Sequence, residues 1–219
     1  MSSLTIDVRA LELFLKKTQH GPDALRALRY RTGVHYLNPK LDRLSSRMLE
    51  AYEKLCTIVQ EPFSILDAGC MAGYLRHFMQ LRLRNFTYTG LDFWDEALEV
   101  AREFQPDIDV RKCDLLNDEL PQFSVEINGH VRYGYDYVWC SNIHWGSNDR
   151  AIVQKLVPVA RRACFFAQPP GTGDIERYAK ELGDVETINC GETTLYVITN
   201  CYGTSKLLRP KDINSIVAA

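Results

Sequence analysis

The segment SILDAGCMAGYLRHF, residues 64–78, places four strand-forming residues before a turn of small residues and a helical pattern. Gly69 can adopt backbone angles that other residues avoid, and it lets a ligand approach the main chain. Gly73 allows the start of the next helix to pack tightly on the strand. The spacing is not that of a G-x-G-x-x-G dinucleotide motif, and the bulky Met71 stands between the two glycines. The order of strand, turn and helix predicts a ligand-binding loop.

Strand-like and helical segments alternate on both sides of this turn, which predicts an α/β fold with a mostly parallel sheet covered by helices on both faces. The last two strands are joined by a short link around Cys190-Gly191-Glu192 and must pair antiparallel. The predicted strands are Ser64–Asp67, Phe86–Asp92, Asp109–Cys113, Tyr135–Ser141, Ala163–Gln168, Val185–Asn189 and Thr194–Asn200. The predicted helices run from the turn to about Leu83, over Asp95–Phe104, over Asn148–Val157 and over Gly173–Leu182. The segment 125–133, with Asn128-Gly129 at its centre, predicts a hairpin that serves as a lid or an inert insertion.

The first 60 residues have a helical pattern, so we expect a helical unit over residues 1–60 before an α/β unit over residues 61–219. Apolar residues recur there at spacings of three and four, forming one stripe: Leu41, Leu44, Met48, Tyr52, Leu55 and Val59. This leading segment carries ten Lys/Arg and six Asp/Glu, whereas the whole chain has a net charge of −2. Its basic surface is either a solvated helical face or a contact for an anionic substrate.

The composition is that of a globular protein, with 46% hydrophobic and 25% charged residues. No apolar run approaches the roughly 20 residues that span a membrane, and the N-terminus lacks the pattern of a signal peptide. We therefore expect a cytoplasmic protein with no membrane partner. The seven cysteines form no C-x-x-C pair, so we expect reduced thiols and no metal site.

Acidic residues end three successive predicted strands, at Asp67, Asp92 and Asp114. In an open parallel sheet, ligands bind beyond these carboxyl ends. Asp92 can accept the two hydroxyls of a ribose, or Asp92 or Asp95 can cap the next helix. Asp114 can accept a hydrogen bond from an exocyclic amine, and two apolar residues, Phe93 and Leu115, can pack against a flat base.

These segments resemble the class I, Rossmann-like S-adenosylmethionine-dependent methyltransferases. The resemblance covers about residues 63–201 and rests on ILDAGCMAG, YTGLDFWDEALEVARE, VRKCDLLNDELP, YDYVWCSNIHW and the closing strand pair. It implies a three-layer, doubly wound, seven-stranded sheet with the last strand inserted antiparallel, and S-adenosylmethionine as the cofactor. It further implies that the N-terminal helices form a cap or lid.

The resemblance also assigns parts of the cofactor to residues. The loop of Gly69, Cys70, Met71 and Gly73, supported by Asp67, would wrap the amino-acid part of the cofactor. Asp92 would hold the ribose, and Asp114 and Leu115 would contact the adenine. Ser141 and Asn142 would lie near the methionine part. The family commonly has a third glycine where this chain has Met71. The loop is then either an open cofactor loop or one that Met71 partly fills.

The acceptor site is predicted from the ends of the fourth and fifth strands. His144 is the candidate general base, or it bonds the backbone; Trp145 is a candidate wall for a flat or cationic acceptor. Gln168 and the leading residues Tyr30 and Tyr36 are further candidates for binding the acceptor, or pack structurally. The run FFAQPPGTG follows the fifth strand and has Gln168 where base-amino methylases have Asn or Asp, so it is not their motif.

The resulting hypothesis is a methyltransferase that acts on an oxygen or nitrogen of a small molecule. The acidic net charge and the absent base-methylation motif disfavour nucleic acid as the partner. Two alternatives stay open: a methyltransferase that acts on a protein or RNA, and a methyltransferase-like module that binds without catalysis.

Overall fold

The computed structural model describes residues 46–121, 124–127, 130–141, 148–171, 173–191 and 193–200. Its helices are α1 (Ser46–Ile58), α2 (Tyr74–Gln80), α3 (Asp95–Phe104), α4 (Asp149–Leu156) and α5 (Ile175–Ala179), with a 3-10 turn at Val157–Val159. Its strands are β1 (Phe63–Ala68), β2 (Phe86–Asp92), β3 (Val110–Lys112), β4 (Ser124–Ile127), β5 (His130–Tyr133), β6 (Tyr135–Ser141), β7 (Ala160–Gln168), β8 (Asp184–Cys190) and β9 (Thr193–Thr199).

Seven strands form one sheet in the order β3-β2-β1-β6-β7-β9-β8. Strands β1, β2, β3, β6 and β7 pair in parallel. Strand β9 lies between β7 and β8 and is antiparallel to both. The predicted fold class is therefore confirmed, including the insertion of the last strand. Strands β4 and β5 pair antiparallel in a separate two-stranded sheet, as the hairpin prediction requires.

The bounds of β2, α3 and β6 coincide with the prediction, whereas other elements differ at their ends. Helix α2 ends at Gln80 rather than Leu83, because the next amides bond back over shorter or irregular turns, such as Leu81 N–H to the carbonyl of Phe78. Helix α5 is likewise shorter than predicted. Strand β7 begins at Ala160, three residues early, since Tyr135 of β6 pairs with it there.

Helices cover both faces of the sheet. On one face, α1, α2 and α3 share a buried core in which the Tyr52 ring lies 5.3 Å from Phe78 and 5.5 Å from Trp139. On the other face, α4 and α5 contribute buried residues such as Ile152 and Ile175. The described part of the predicted stripe, Met48 to Val59, is buried in the first core. Leu41 and Leu44 lie outside the described residues.

The strand order reverses between β1 and β6: from β1 the chain adds β2 and β3 on one side, and β6 and β7 lie on the other. Ligands of open α/β sheets bind at such a reversal, beyond the carboxyl ends of the strands. This edge carries the turn after β1, and the site is built there.

Three general features of the described part complete the fold. Five of its six cysteines are buried. None of its helices has the length and apolar character needed to cross a membrane. No group of three His, Cys, Asp or Glu side chains within it is arranged to hold a metal ion.

Candidate active site

The turn after β1 holds three residues in the left-handed backbone region: Gly69 at φ 83°, Met71 at φ 49° and Gly73 at φ 74°. Glycine adopts this region without steric cost, whereas a residue with a Cβ pays about 1–2 kcal/mol. Met71 therefore has the backbone conformation of a glycine. The position where the family commonly has its third glycine keeps that shape in this chain.

The end of β2 holds this turn in place. The carbonyl oxygen of Leu91 accepts the backbone N–H groups of Gly69 and Cys70, at 2.7 and 2.9 Å. The Asp92 carboxylate accepts the Met71 N–H through Oδ2 at 2.8 Å and the Trp94 N–H through Oδ1 at 3.1 Å. Helix α3 begins after Trp94 without a side-chain cap, so neither Asp92 nor Asp95 is its N-cap.

Asp67 ends β1 as a buried carboxyl, 3% exposed. Its Oδ2 accepts the Tyr88 hydroxyl at 2.7 Å. Burial raises the pKa of Asp67 to about 7; the Tyr88 hydrogen bond lowers it, and the nearby Asp92 raises it. Burial also raises the pKa of Asp92, although the amides of Met71, Trp94 and Phe93 oppose this. Two buried acids thus lie beside the turn.

Gly90 of β2 makes room for this turn. It pairs with Asp67, and a Cβ added to it would lie 2.7 Å from the Cys70 sulfur and 3.0 Å from Val110 Cγ1. Cys70 is consequently buried between the loop and β2. Burial raises the pKa of its thiol well above the usual range, with Asp67 and Asp92 adding to the effect, so Cys70 is a packing residue rather than a nucleophile.

The segment after β3 forms a compact turn around Asp114. Its Oδ1 accepts the Leu116 N–H at 2.9 Å, and its Oδ2 accepts the Asn117 side-chain amide at 2.7 Å. These two donors, Leu116 first, lower the pKa of Asp114. Leu115 is buried, while Phe93, which follows β2, is 50% exposed. A half-exposed ring beside two strand ends is a surface on which a flat base can stack.

The ends of β6 and β7 complete the edge. The carbonyl oxygen of Ser141 lies 4.0 Å from the point that a Cβ on Gly69 would occupy, so β6 ends against the turn. Gln168 ends β7 and is 2% exposed. The structure thus brings the described members of the predicted cofactor set, together with Gln168, to one edge of the sheet. Five predicted residues lie outside the described part of the chain: Tyr30, Tyr36, Asn142, His144 and Trp145.

Several contacts at this edge were not predicted from the sequence. We expected Asp67 to support the turn, and this stays a prediction. The turn donates its N–H groups to the Leu91 carbonyl and the Asp92 carboxylate, and Gln105 Nε2 donates to the Gly73 carbonyl oxygen at 3.1 Å. Tyr88 was missed, although it lies four residues before Asp92 on the same strand, so the two side chains lie on the same face of the sheet. Lys155 of α4 was missed too: its Nζ donates to the carbonyl oxygen of Leu115 at 2.9 Å and to that of Asp118.

No protein-family model and no curated protein matches the sequence, but solved structures match the fold. The TehB-like SAM-dependent methyltransferase from Corynebacterium glutamicum is 13% identical, with a TM-score of 0.55 over 68% of this chain and 86% of that one. The ribosomal protein L11 methylase from Lactobacillus delbrueckii is 17% identical, with a TM-score of 0.55 over 74% and 83%. The chain has the class I methyltransferase fold.

A third structure with the methyltransferase fold comes from a complex with a protein. The partner of the Trm112 methyltransferase activator of Haloferax volcanii is 13% identical to this chain, with a TM-score of 0.57 over 80% of this chain and 94% of that one. At these identities the likeness concerns the fold. An activity can be inferred only from the side chains at the carboxyl ends of the strands.

Proposed function

We propose that this protein transfers a methyl group from S-adenosylmethionine to an oxygen or nitrogen atom of a small molecule. The observation that carries the proposal is the turn Gly69–Gly73, held in left-handed conformation by Leu91 and Asp92 at the strand reversal. Two buried acids flank it, and an exposed ring follows β2.

The chemistry of these residues fits the cofactor. S-adenosylmethionine carries an ammonium and a sulfonium, and it supplies an electrophilic methyl group when bound. Asp92 would provide negative charge for those cations, and a bound cation would favour the ionised form of Asp67. Each ionised carboxylate has about four acceptor positions, and Asp92 uses two of them for backbone amides. It therefore keeps capacity for the ribose hydroxyls.

The remaining cofactor contacts follow the edge of the sheet. The glycines at 69 and 73 admit the amino-acid part close to the main chain. Asp114, Leu115 and Phe93 would surround the adenine. Ser141, together with Asn142, would face the methionine part. Residues 1–60 would act as a cap or lid, of which the described end, Ser46–Ile58, packs into the sheet's core.

Methyl transfer is a direct displacement in which alignment of the acceptor supplies most of the catalysis. We assign the acceptor to the ends of β6 and β7, with Gln168, Tyr30, Tyr36 and Trp145 as binding residues and His144 as the base. The net charge of −2 argues for a small acceptor over nucleic acid. A protein acceptor is the alternative, because one structure with this fold is a ribosomal protein methylase.

Calorimetric titration of the full chain with S-adenosylhomocysteine tests the proposal. We expect micromolar binding with one site per chain. Transfer of labelled methyl groups to fractionated small molecules and to proteins then separates the two acceptor classes. A folded protein that binds neither S-adenosylhomocysteine nor S-adenosylmethionine contradicts the proposal and supports a binding module without the cofactor.

A further inference from the structure

Asp149, the first residue of α4, is a buried carboxylate with one unused oxygen. Asp149 as a whole is 3% exposed. Oδ2 accepts the backbone N–H of Asp174 at 3.3 Å. Oδ1 is buried and has no hydrogen-bond partner among the residues that the structure describes. A buried ionised oxygen without a donor is costly, so such an atom calls for a partner that arrives with a ligand.

The other buried aspartates show how this protein normally compensates such groups. Asp67 receives the Tyr88 hydroxyl, and Asp92 receives two backbone amides. Asp136 forms ion pairs with Arg161 and Arg162, at 3.0 and 3.3 Å, and also accepts from Ser64. Within the described ranges, Asp149 Oδ1 alone among buried carboxylate oxygens lacks a donor. No lysine or arginine there forms an ion pair with it.

Asp149 lies on the same edge of the sheet as the proposed cofactor loop. The negative charges of Asp67 and Asp149 both act on Cys140 of β6, where they add to the effect of burial in raising the thiol pKa. A Cβ added to Gly173 would contact Asp149 Oδ2 and would lie 3.3 Å from Gln168 Oε1. The absence of a side chain at Gly173 thus lets its backbone approach Asp149 Oδ2 and Gln168 Oε1 closely.

We propose that Asp149 binds a protonated nitrogen group of the methyl acceptor, an ammonium or amidinium, with the Gln168 amide oxygen beside it. This assignment rests on the proposed methyl transfer and narrows its substrate class to nitrogen-containing cations. A cation that carries N–H donors both neutralises the buried charge and satisfies Oδ1. A neutral hydroxyl could donate a hydrogen bond to Oδ1, but it would not neutralise the buried charge.

The test uses methylammonium as the probe, with the full chain saturated in S-adenosylhomocysteine. Thermal stabilisation by methylammonium chloride is compared with that by tetramethylammonium chloride, a cation without N–H donors, at equal ionic strength. We expect methylammonium, but not tetramethylammonium, to bind with millimolar affinity. In Asp149→Asn the affinity for methylammonium should fall at least about tenfold. Asp174→Asn, which removes a neighbouring exposed carboxylate, should leave it unchanged. Equal responses to both cations, or in wild type and Asp149→Asn, overturn the proposal.

Two measurements distinguish failure of the Asp149 assignment from failure of the proposed methyl transfer. Asp149→Asn should bind S-adenosylmethionine and S-adenosylhomocysteine within about twofold of wild type. Selective loss of S-adenosylmethionine would show that Asp149 faces the sulfonium, which overturns the acceptor assignment but keeps the cofactor. If the wild type binds neither, the proposed function fails, and methylammonium titration of the ligand-free protein still tests Asp149.

The stability of the variant excludes a merely structural role. Asparagine keeps an oxygen for the Asp174 N–H and removes the uncompensated charge. Asp149→Asn should therefore raise the midpoint of thermal unfolding of the ligand-free protein by about 2–4 °C. A lowered midpoint, or failure to fold, would mean that the carboxylate holds the structure together, and this overturns the proposal.

Discussion

The backbone N–H of Met71 donates to Asp92 Oδ2 over 2.8 Å, so the turn after β1 and the end of β2 are joined directly. The two residues are 21 positions apart in the chain. A side chain predicted to hold a ribose is thus also the support of the loop that would wrap the rest of the cofactor. Binding of the cofactor and order of the loop should depend on the same carboxylate.

Replacement of Asp92 by alanine should weaken S-adenosylhomocysteine binding at least about tenfold, because a charge-assisted acceptor is lost. The loop amides lose their partner as well, so the free energy of unfolding should fall by about 1–3 kcal/mol. Calorimetry and urea unfolding measure the two effects. Asp95→Ala is the matched control, since Asp95 is exposed and pairs with Lys112 at the surface. Unchanged affinity in Asp92→Ala would remove the ribose assignment.

The left-handed backbone of Met71 predicts how two substitutions at this position differ in stability. Because its φ is 49°, Met71→Gly should be more stable than Met71→Ala by about 1 kcal/mol, after the entropy cost of glycine is included. Urea unfolding of the two variants measures the difference, and the alanine variant controls for loss of the side chain. Equal stabilities would show that residue 71 does not hold a left-handed conformation in solution.

Asp67 makes stability depend on pH. Its pKa is about 7 in the folded protein against an ordinary value of 3.8, so the folded state keeps a proton that the unfolded state releases between these pH values. Stability therefore falls as pH rises through this window, and the contribution is fully lost above about pH 7. Asp67→Asn should lack this loss, and its advantage over wild type should grow by roughly 3 kcal/mol from pH 4 to pH 8.

Urea unfolding of wild type and Asp67→Asn at four pH values checks this. Tyr88→Phe provides a second comparison, since the Tyr88 hydroxyl lowers the pKa of Asp67. Its loss should shift the fall in stability to higher pH. A difference between wild type and Asp67→Asn that does not change with pH would contradict the burial argument.

Lys155 is expected to act as a positioning residue for the adenine site. Its Nζ donates to the carbonyl oxygens of Leu115 and Asp118 and so ties α4 to the turn after β3. Lys155→Met should weaken binding of S-adenosylhomocysteine and of adenosine alone by the same factor, about three- to tenfold. Lys180→Met, which removes a surface pair with Glu176, should have no effect. A loss of stability with unchanged adenosine affinity would mean that the contact is purely structural.

The sheet was predictable because hydrophobic periodicity and turn signals act locally. Strand β2 and helix α3 could be bounded to the residue, since Asp92 and Pro106 limit them. The short link between β8 and β9 fixed their antiparallel pairing. The position of β9 between β7 and β8 came from the family resemblance, because strand order depends on contacts across the fold rather than on local sequence.

The site was predictable in its strand-end residues and less so in its connections. Acids after successive strands mark the edge of a parallel sheet, which is why Asp67, Asp92 and Asp114 all lie at the same edge. The partners of those acids depend on three-dimensional register. Tyr88 reaches Asp67 only through the pairing of β1 with β2, and Lys155 crosses to a turn 40 residues earlier in the chain. No local pattern encodes such contacts.

The position of β9 has a consequence for biosynthesis. The strands from β1 to β7 can assemble on a nascent chain in the order of their synthesis, but β8 has no neighbour in the sheet except β9. Until residues 193–199 leave the ribosome, the edge of β7 stays open, and an open strand edge is a template for pairing between chains. Translation that stalls before Thr193 would therefore leave an aggregation-prone product, and synthesis of β9 covers the open edge of β7.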